Sequence, residues 1–472
     1  MGQISLPQKG KSSQDVLNTL KSFKSDDVKW HDGQLFGLIY EAGPEVEALV
    51  KEASALFLIE NGLSPMAFPS LVKMETEVVS NVISLSGGDD ETVGSFTSGG
   101  TESIFMALKA ARDWARHTYP QIKAPEMVVP VTAHPAWNKA AHYLDIKICM
   151  TPVKDDLRAD VAAMKNAITK NTVILGGTAV TYPHGMVDPI EEIAALAEKK
   201  TLWLHVDACL GGLMLPFLKR LGYKIPPYDF SVPGVTSISA DIHKYAYTPK
   251  GVSTVMYRNR DFRKFQIFAY ADWSGGVYAT PCLAGARPGG TMAAAWAVMH
   301  YLGAEGFMAL AQQARAATEK LIEGINAIPQ LYVLGNPDAT VFAFGSDEIN
   351  IYELSARMAD VGWHIEAQQL PPSLHMTVSP VHLSVADKFL DDLRRIVPEI
   401  PPADSQDLSE QAAMYAMLGT MPDRSMAREF AVEYINNLYR AVKKRKSLEV
   451  VSKPQIRFKG KASRGLKPER TR

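Results

Sequence analysis

Lys244 stands in the run Ser239-Ala240-Asp241-Ile242-His243-Lys244-Tyr245, directly after a short stretch that reads as a strand. A lysine at a strand end, flanked by His243 and Tyr245, is where a sheet enzyme would place a reactive amine. Such an amine condenses with an aldehyde to an imine if its pKa is lowered by its surroundings or by the aldehyde-bearing group itself. Most lysines beside a histidine are plain surface charges, so Lys244 needs company before it carries weight.

That company begins with His205 and Asp207 in Leu204-His205-Val206-Asp207-Ala208. They alternate on a strand, so both side chains point the same way. A carboxylate at the end of an apolar strand is costly to bury without a cationic partner. A pyridinium nitrogen is such a partner, and a ring kept protonated is an electron sink. Capping of the turn at Gly211-Gly212 is the plainer role open to Asp207 alone. Phe96-Thr97-Ser98-Gly99-Gly100-Thr101-Glu102-Ser103 precedes a strong helix pattern. Its glycines allow close backbone approach, and the amides of Gly100 and Thr101 would form a phosphate cradle with no Walker lysine. No GxGxxG follows a first strand, which disfavours a nicotinamide fold. His134, in Thr132-Ala133-His134-Pro135, could lie flat on a planar ring or simply be satisfied in its loop. Thr178 and Tyr182-Pro183-His184-Gly185 follow a further strand. Four polar motifs at the carboxyl ends of four predicted strands converge on one crevice.

The elements that must position them alternate from about residue 91 to 300. Predicted strands are Met127–Thr132, Ile146–Thr151, Thr172–Leu175, Leu202–Val206, Ser237–Ser239 and Ser253–Tyr257, with helices Glu102–His117, Ala159–Ile168 and Ile190–Lys199. Asp188 with Pro189 and two glutamates signs the start of the last helix. This alternation implies an α/β fold, a mostly parallel sheet covered on both faces. Helical patterns at Val46–Ile59 and Leu71–Leu85 precede it. A long helix, Glu305–Ile328, leads into α+β material with strands Tyr332–Leu334 and Thr340–Phe344 and a final helix Met426–Tyr439. The expected division is 1–90 extended and helical, 91–305 a large α/β domain, 306–442 a small α+β domain, and 443–472 a tail.

At 472 residues the chain exceeds a single core, and its 46% apolar and 21% charged content is that of a soluble globular protein. A formal charge of -1 gives no global attraction to nucleic acid or anionic membranes. Three scattered cysteines, without a CxxC pair, argue against disulfides and structural zinc and suit a reducing cytosol. No secretory signal and no apolar run of spanning length is visible. The stretch from Lys443 to Arg472 is strongly basic, which suggests a mobile, solvated extension or, with only Phe458 for stacking, a weaker case for a nucleic-acid or anionic-lipid arm.

Together these motifs resemble the fold type I pyridoxal enzymes, in the group of the glutamate and aromatic amino-acid decarboxylases, and within it the sphingosine-1-phosphate lyases. The resemblance runs from about Lys29 to Tyr439. It is carried by Phe68-Pro69-Ser70, Ser98-Gly99-Gly100-Thr101-Glu102-Ser103, Ala133-His134, Pro183-His184-Gly185, His205-Val206-Asp207-Ala208, the run ending in His243-Lys244-Tyr245, Pro249-Lys250-Gly251, Gly276-Val277-Tyr278, Gly285-Ala286-Arg287-Pro288-Gly289-Gly290 and Met421-Pro422-Asp423-Arg424. Lys250 and the stretch from Tyr278 to Gly290 are what favour the lyases over the decarboxylases.

The resemblance implies pyridoxal 5′-phosphate as cofactor, held by Lys244 as a Schiff base, with Asp207 on the pyridine nitrogen and His134 stacked on the ring. Gly100 and Thr101, with His243, would take its phosphate, and Thr178 would join the cofactor set. Lys250, Tyr40 and Tyr278 would serve the substrate, a phosphorylated long-chain base cleaved between C2 and C3. No metal is implied. Family members are homodimers with sites at the interface, and the membrane anchor of eukaryotic members is missing, so a soluble, cytoplasmic, bacterial protein is expected. One departure stands out: Ser64 replaces the family's usual histidine. An amino-acid decarboxylase, or a non-catalytic scaffold that kept the fold, are the competing readings.

Overall fold

The computed structural model describes residues 6–421 and 423–439. The basic stretch 443–472 lies outside the described residues. The central sheet has seven strands: β1 (Val93–Thr97), β2 (Glu126–Pro130), β3 (Lys147–Thr151), β4 (Thr172–Thr178), β5 (Trp203–Asp207), β6 (Ser237–Ala240) and β7 (Ser253–Tyr257). Their order is β1-β7-β6-β5-β4-β2-β3. The pairs from β3 to β6 are parallel, whereas β7 is antiparallel to both β6 and β1. Only β7 runs back. The mostly parallel sheet expected from the alternation is therefore present.

Both faces are covered, as parallel sheets require. On one side Leu204 and Val206 of β5 pack with Ile190 and Ile193 of the helix Ile190–Lys200. On the other, Trp203 packs with Ile104 and Leu108 of the helix Gly100–Thr118 and with Trp137 of the helix Ala136–Leu144. Each fully buried large side chain of this kind contributes about 1.5–3 kcal/mol. Every residue of β5 is buried. The sheet is thus a rigid plate whose strand ends can hold polar groups in place.

Several boundaries differ from expectation. The strand β1 carries Gly94 and Ser95 and lacks a β-branched run, so it is recruited by pairing with β7 rather than by propensity. Asp188 does not cap the next helix, whose N-cap is Pro189. Its buried carboxylate accepts instead from the amides of Ala159 and Thr178, tying β4 to the segment ahead of the helix Val161–Ala167. The long helix starts at Gly289, not near Glu305, and runs to Asn326 across a kink at Gly303, whose φ of 55° and ψ of -174° break the helical ladder. Its first half is apolar on nearly every side and gives no amphipathic signal.

A hairpin of β8 (Phe268–Trp273) and β9 (Gly276–Thr280) follows the central sheet in sequence. A second, antiparallel sheet has the order β10-β11-β13-β12, formed by β10 (Tyr332–Val333), β11 (Val341–Gly345), β12 (Glu366–Gln369) and β13 (Pro372–Thr377). Its core gathers Phe342, Phe344, Trp363 and Phe389. The terminal segments form a separate unit, with helices Ser13–Phe23, capped by Ser12, and Arg424–Leu438, capped by Asp423. Among the described residues, no helix is long and apolar enough to cross a membrane.

Candidate active site

The connection 241–252 leaves the carboxyl end of β6 and returns as β7, so it lies over the sheet end where β4 and β5 also terminate. A cavity of about 330 Å³ opens there, lined among others by Gly100, Thr101, His134, Thr178, Asp207, His243 and Lys244. All seven residues expected to hold the cofactor are brought together.

At its floor Lys244 Nζ lies 3.0 Å from Oδ2 of Asp241, a carboxylate that is 3% exposed. Burial works against the lysine's charge, but Asp241, with Cys209 and Asp207, outweighs it and raises the Lys244 pKa above its ordinary value. The surroundings therefore do not lower this pKa, and a neutral amine must come from the group it reacts with. Burial alone would raise the Asp241 pKa, yet Lys244 and His243 hold it below the usual carboxylate value.

Gly100 lets the helix start pass over Asp241. A Cβ there would stand 2.7 Å from Cys209 Sγ and 2.8 Å from Asp241 Oδ2. Gly99 is the N-cap and has no side chain to cap with, so the amides of Gly100, Thr101 and Glu102 have no hydrogen-bond partner among the described residues. Glu102 is buried and reaches back over the helix start, accepting from Ser98 N at 2.6 Å and from Leu283 N at 2.7 Å. His243 sits against Gly99, and its Nδ1 donates to the Val252 carbonyl at 2.7 Å.

Asp207, at the end of β5, accepts through Oδ1 from Cys209 N at 3.0 Å and from Ser239 Oγ at 3.4 Å. Its Oδ2 has no partner among the described residues. Thr178, last in β4, has a buried hydroxyl with no partner among the described residues. His134 accepts from Ala136 N through Nδ1 at 3.1 Å, so the neutral ring carries its proton on Nε2. Burial lowers its pKa, against the pull of Asp207, and keeps it neutral. His205 lies deeper on the same strand, bonded to Ser237 at 2.9 Å and packed on Trp137, outside the cavity lining.

Lys250 and Tyr40 meet beside the cavity. The Lys250 ammonium is 4.8 Å from the centre of the Tyr40 ring and 3.3 Å from the His243 carbonyl. Desolvation and then the charge of Lys244 push its pKa down to about 8.

The chain matches the family described as "Pyridoxal-dependent decarboxylase conserved domain" over residues 3–345. It is 44% identical to a sphingosine-1-phosphate lyase of Oryza sativa, over 91% of this chain and 81% of that one. The solved structure of a Burkholderia pseudomallei sphingosine-1-phosphate lyase superposes with a TM-score of 0.84 at 37% identity, covering 93% of this chain and 98% of that one. This chain belongs to the sphingosine-1-phosphate lyase family. A Lactobacillus brevis glutamate decarboxylase shares the fold, with a TM-score of 0.75 at 18% identity over 86% and 97% of the two chains.

A sphingosine-1-phosphate lyase family member is a pyridoxal-phosphate enzyme, so the cofactor expected from the motifs stands. Of the residues expected to serve the substrate, Lys250 and Tyr40 stand beside the cavity without lining it, and Tyr278 falls away from it. Tyr278 lies on β9, in the hairpin with exposed Phe268, Tyr270 and Trp273, and does not line the cavity of its own chain. Ser64 is exposed on the loop after Asn61. Asp241 stands in the Lys244 motif without a role assigned to it from sequence, although its position three residues before Lys244 is the available signal for an ion pair on one turn.

Proposed function

We propose that this protein cleaves the C2–C3 bond of a phosphorylated long-chain base by retro-aldol chemistry, giving phosphoethanolamine and a long-chain aldehyde. The observation that carries it is the second lysine: Lys250, with its depressed pKa, stands beside a cavity already furnished for the cofactor.

The residues present fit pyridoxal phosphate. The partnerless amides of Gly100 and Thr101, with His243 beside them, would hold its phosphate, and the free Thr178 hydroxyl offers a further donor. Asp207 Oδ2 would face the pyridine nitrogen, His134 would lie on the ring and Lys244 would be the point of covalent attachment. When bound, the cofactor supplies the sink for the electron pair left on C2. Lys250 takes the C3 hydroxyl proton, because its ammonium gives up a proton near neutral pH more readily than an ordinary lysine. Tyr40 holds Lys250 against its ring face and so aims the amine. Orientation of the C2–C3 bond, set by contacts to the substrate phosphate and chain, decides which bond breaks.

The functional unit in this reading is a homodimer in which Tyr278 enters the neighbouring subunit's cavity. Support comes from the exposed apolar side chains of its hairpin and from its absence among the residues lining its own cavity. Three free cysteines favour a reducing cytoplasm. Mass spectrometry of products after incubation with sphingosine 1-phosphate tests the assignment. Phosphoethanolamine and hexadecenal are expected. Carbon dioxide from glutamate or aromatic amino acids, with no cleavage of the phosphorylated base, would replace it with a decarboxylase.

A further inference from the structure

Tyr182 lines the cavity from the loop after β4, yet it is held from the second sheet. Its hydroxyl donates to Oε2 of Glu366 on β12. Its ring stacks on His375 of β13, with centroids 4.1 Å apart and planes 20° from parallel. Glu366 and His375 are direct partners in the β12–β13 register, so one cross-strand pair grips both the ring and the hydroxyl. His375 is fixed in turn by Thr377 at 2.8 Å, and Gln368 Nε2 donates to the Pro183 carbonyl at 2.9 Å, closing the same seam two residues further along β12. On the far side the Tyr182 ring meets the edge of His134 at 6.2 Å.

A phenol has one proton and an oxygen that can still accept. With that proton committed to Glu366, Tyr182 can only accept from the cavity. A group that meets it must be a donor, which admits a hydroxyl and rejects a phosphate oxygen. Resting on the function proposed above, we infer that Glu366 is a positioning residue: by taking the Tyr182 proton it presents the phenol oxygen as the acceptor that holds the substrate's C3 hydroxyl in the bound complex, before that hydroxyl turns its one proton to Lys250 for cleavage. The second sheet thereby sets the polarity of a wall of the cavity that the central sheet builds.

The test is stopped-flow binding to the holoenzyme, read from the cofactor absorbance before turnover, of a short-chain phosphorylated 2-amino-3-hydroxy base whose C3 hydroxyl is methylated in one comparison ligand and absent in another. Wild type is expected to prefer the free hydroxyl over the 3-deoxy ligand by roughly three- to tenfold, the worth of one neutral hydrogen bond. Glu366→Ala should lose that preference and tolerate the methyl ether, because the phenol is then free to donate. Glu366→Gln, which keeps an acceptor, should restore it, and a restored preference would show that Glu366→Ala had not merely misfolded. In a Tyr182→Phe background, Glu366→Ala should have no further effect. Equal binding of the hydroxy and deoxy ligands by wild type, or additive losses in the double variant, would overturn the role of Glu366 alone. Binding of no phosphorylated base at all by wild type would instead remove the function on which it rests.

Discussion

The floor of the cavity and its rim are built by different rules. Floor residues come from strand ends or from the first turn of a helix packed on them, and three of their side chains are pinned by bonds to backbone: Asp207 to Cys209, His134 to Ala136, His243 to Val252. At the rim, Lys250 and Tyr40 hold each other by a cation–ring contact, and Tyr278 stands on a hairpin away from its own cavity. A floor inherited from the sheet suits a resident cofactor shared by many reactions. A rim made of loops suits a substrate that differs between relatives. The contrast predicts that floor substitutions should act on cofactor retention, and rim substitutions on turnover and substrate choice.

The most damaging break is Lys244→Ala. Cleavage should fall by at least roughly a thousandfold, and borohydride should no longer trap the cofactor on the protein. The same change strips Asp241 of its cation while leaving it buried, so thermal stability should fall too. Adding Asp241→Asn should return stability but not cleavage, which separates the two roles by calorimetry and assay. Next comes Gly100→Ala. The new methyl would press on Cys209 and Asp241 at 2.7–2.9 Å. Overpacking of this kind costs about 1–3 kcal/mol, so spectrophotometric titration should show cofactor affinity weakened by roughly ten- to hundredfold. Unchanged affinity would remove the helix start from the phosphate site.

A rim residue should behave otherwise. If Lys250 is the base, its active form is the neutral one, and kcat/KM should rise with pH through about 8 before levelling. Lys250→Arg keeps the charge but never deprotonates. That variant should lose the rising limb and roughly a hundredfold in rate while binding the cofactor normally. A normal pH profile in Lys250→Arg would move the proton transfer to another group.

Legibility in the sequence follows the same line. Five parallel strands and the motif at each strand end were readable because apolar runs and punctuating glycines are local signals; β5 and its Asp207 are within a residue of expectation. The strand β1 escaped because its partner β7 lies far along the chain, and only the finished sheet makes Val93–Thr97 extended. Asp188 looked like a cap because its neighbours suit one, and its true partners, Ala159 and Thr178, come from other elements. Lys250 and Tyr40 were nameable only through family resemblance, and no spacing rule brings them to 4.8 Å. The Glu366–His375 pair behind Tyr182 carried no signal at all, since β12 is a short polar strand whose register is set by β13.

The gentlest test asks whose cavity Tyr278 serves. Lys244→Ala and Tyr278→Phe subunits are each expected to be impaired as homodimers. Should Tyr278 act in its own chain, mixed dimers hold one site lacking the amine and one lacking the phenol, and mixing regains nothing. Should it act across the interface, both defects fall on one site of each mixed dimer and the other site is intact. An equal mixture, half of it mixed dimers, would then regain about a quarter of wild-type activity. The exposed apolar side chains of Phe268 and Trp273 on the same hairpin favour the second outcome, since a solitary chain would leave them in water. Regain near a quarter would extend the rim across two subunits while leaving the floor wholly within one.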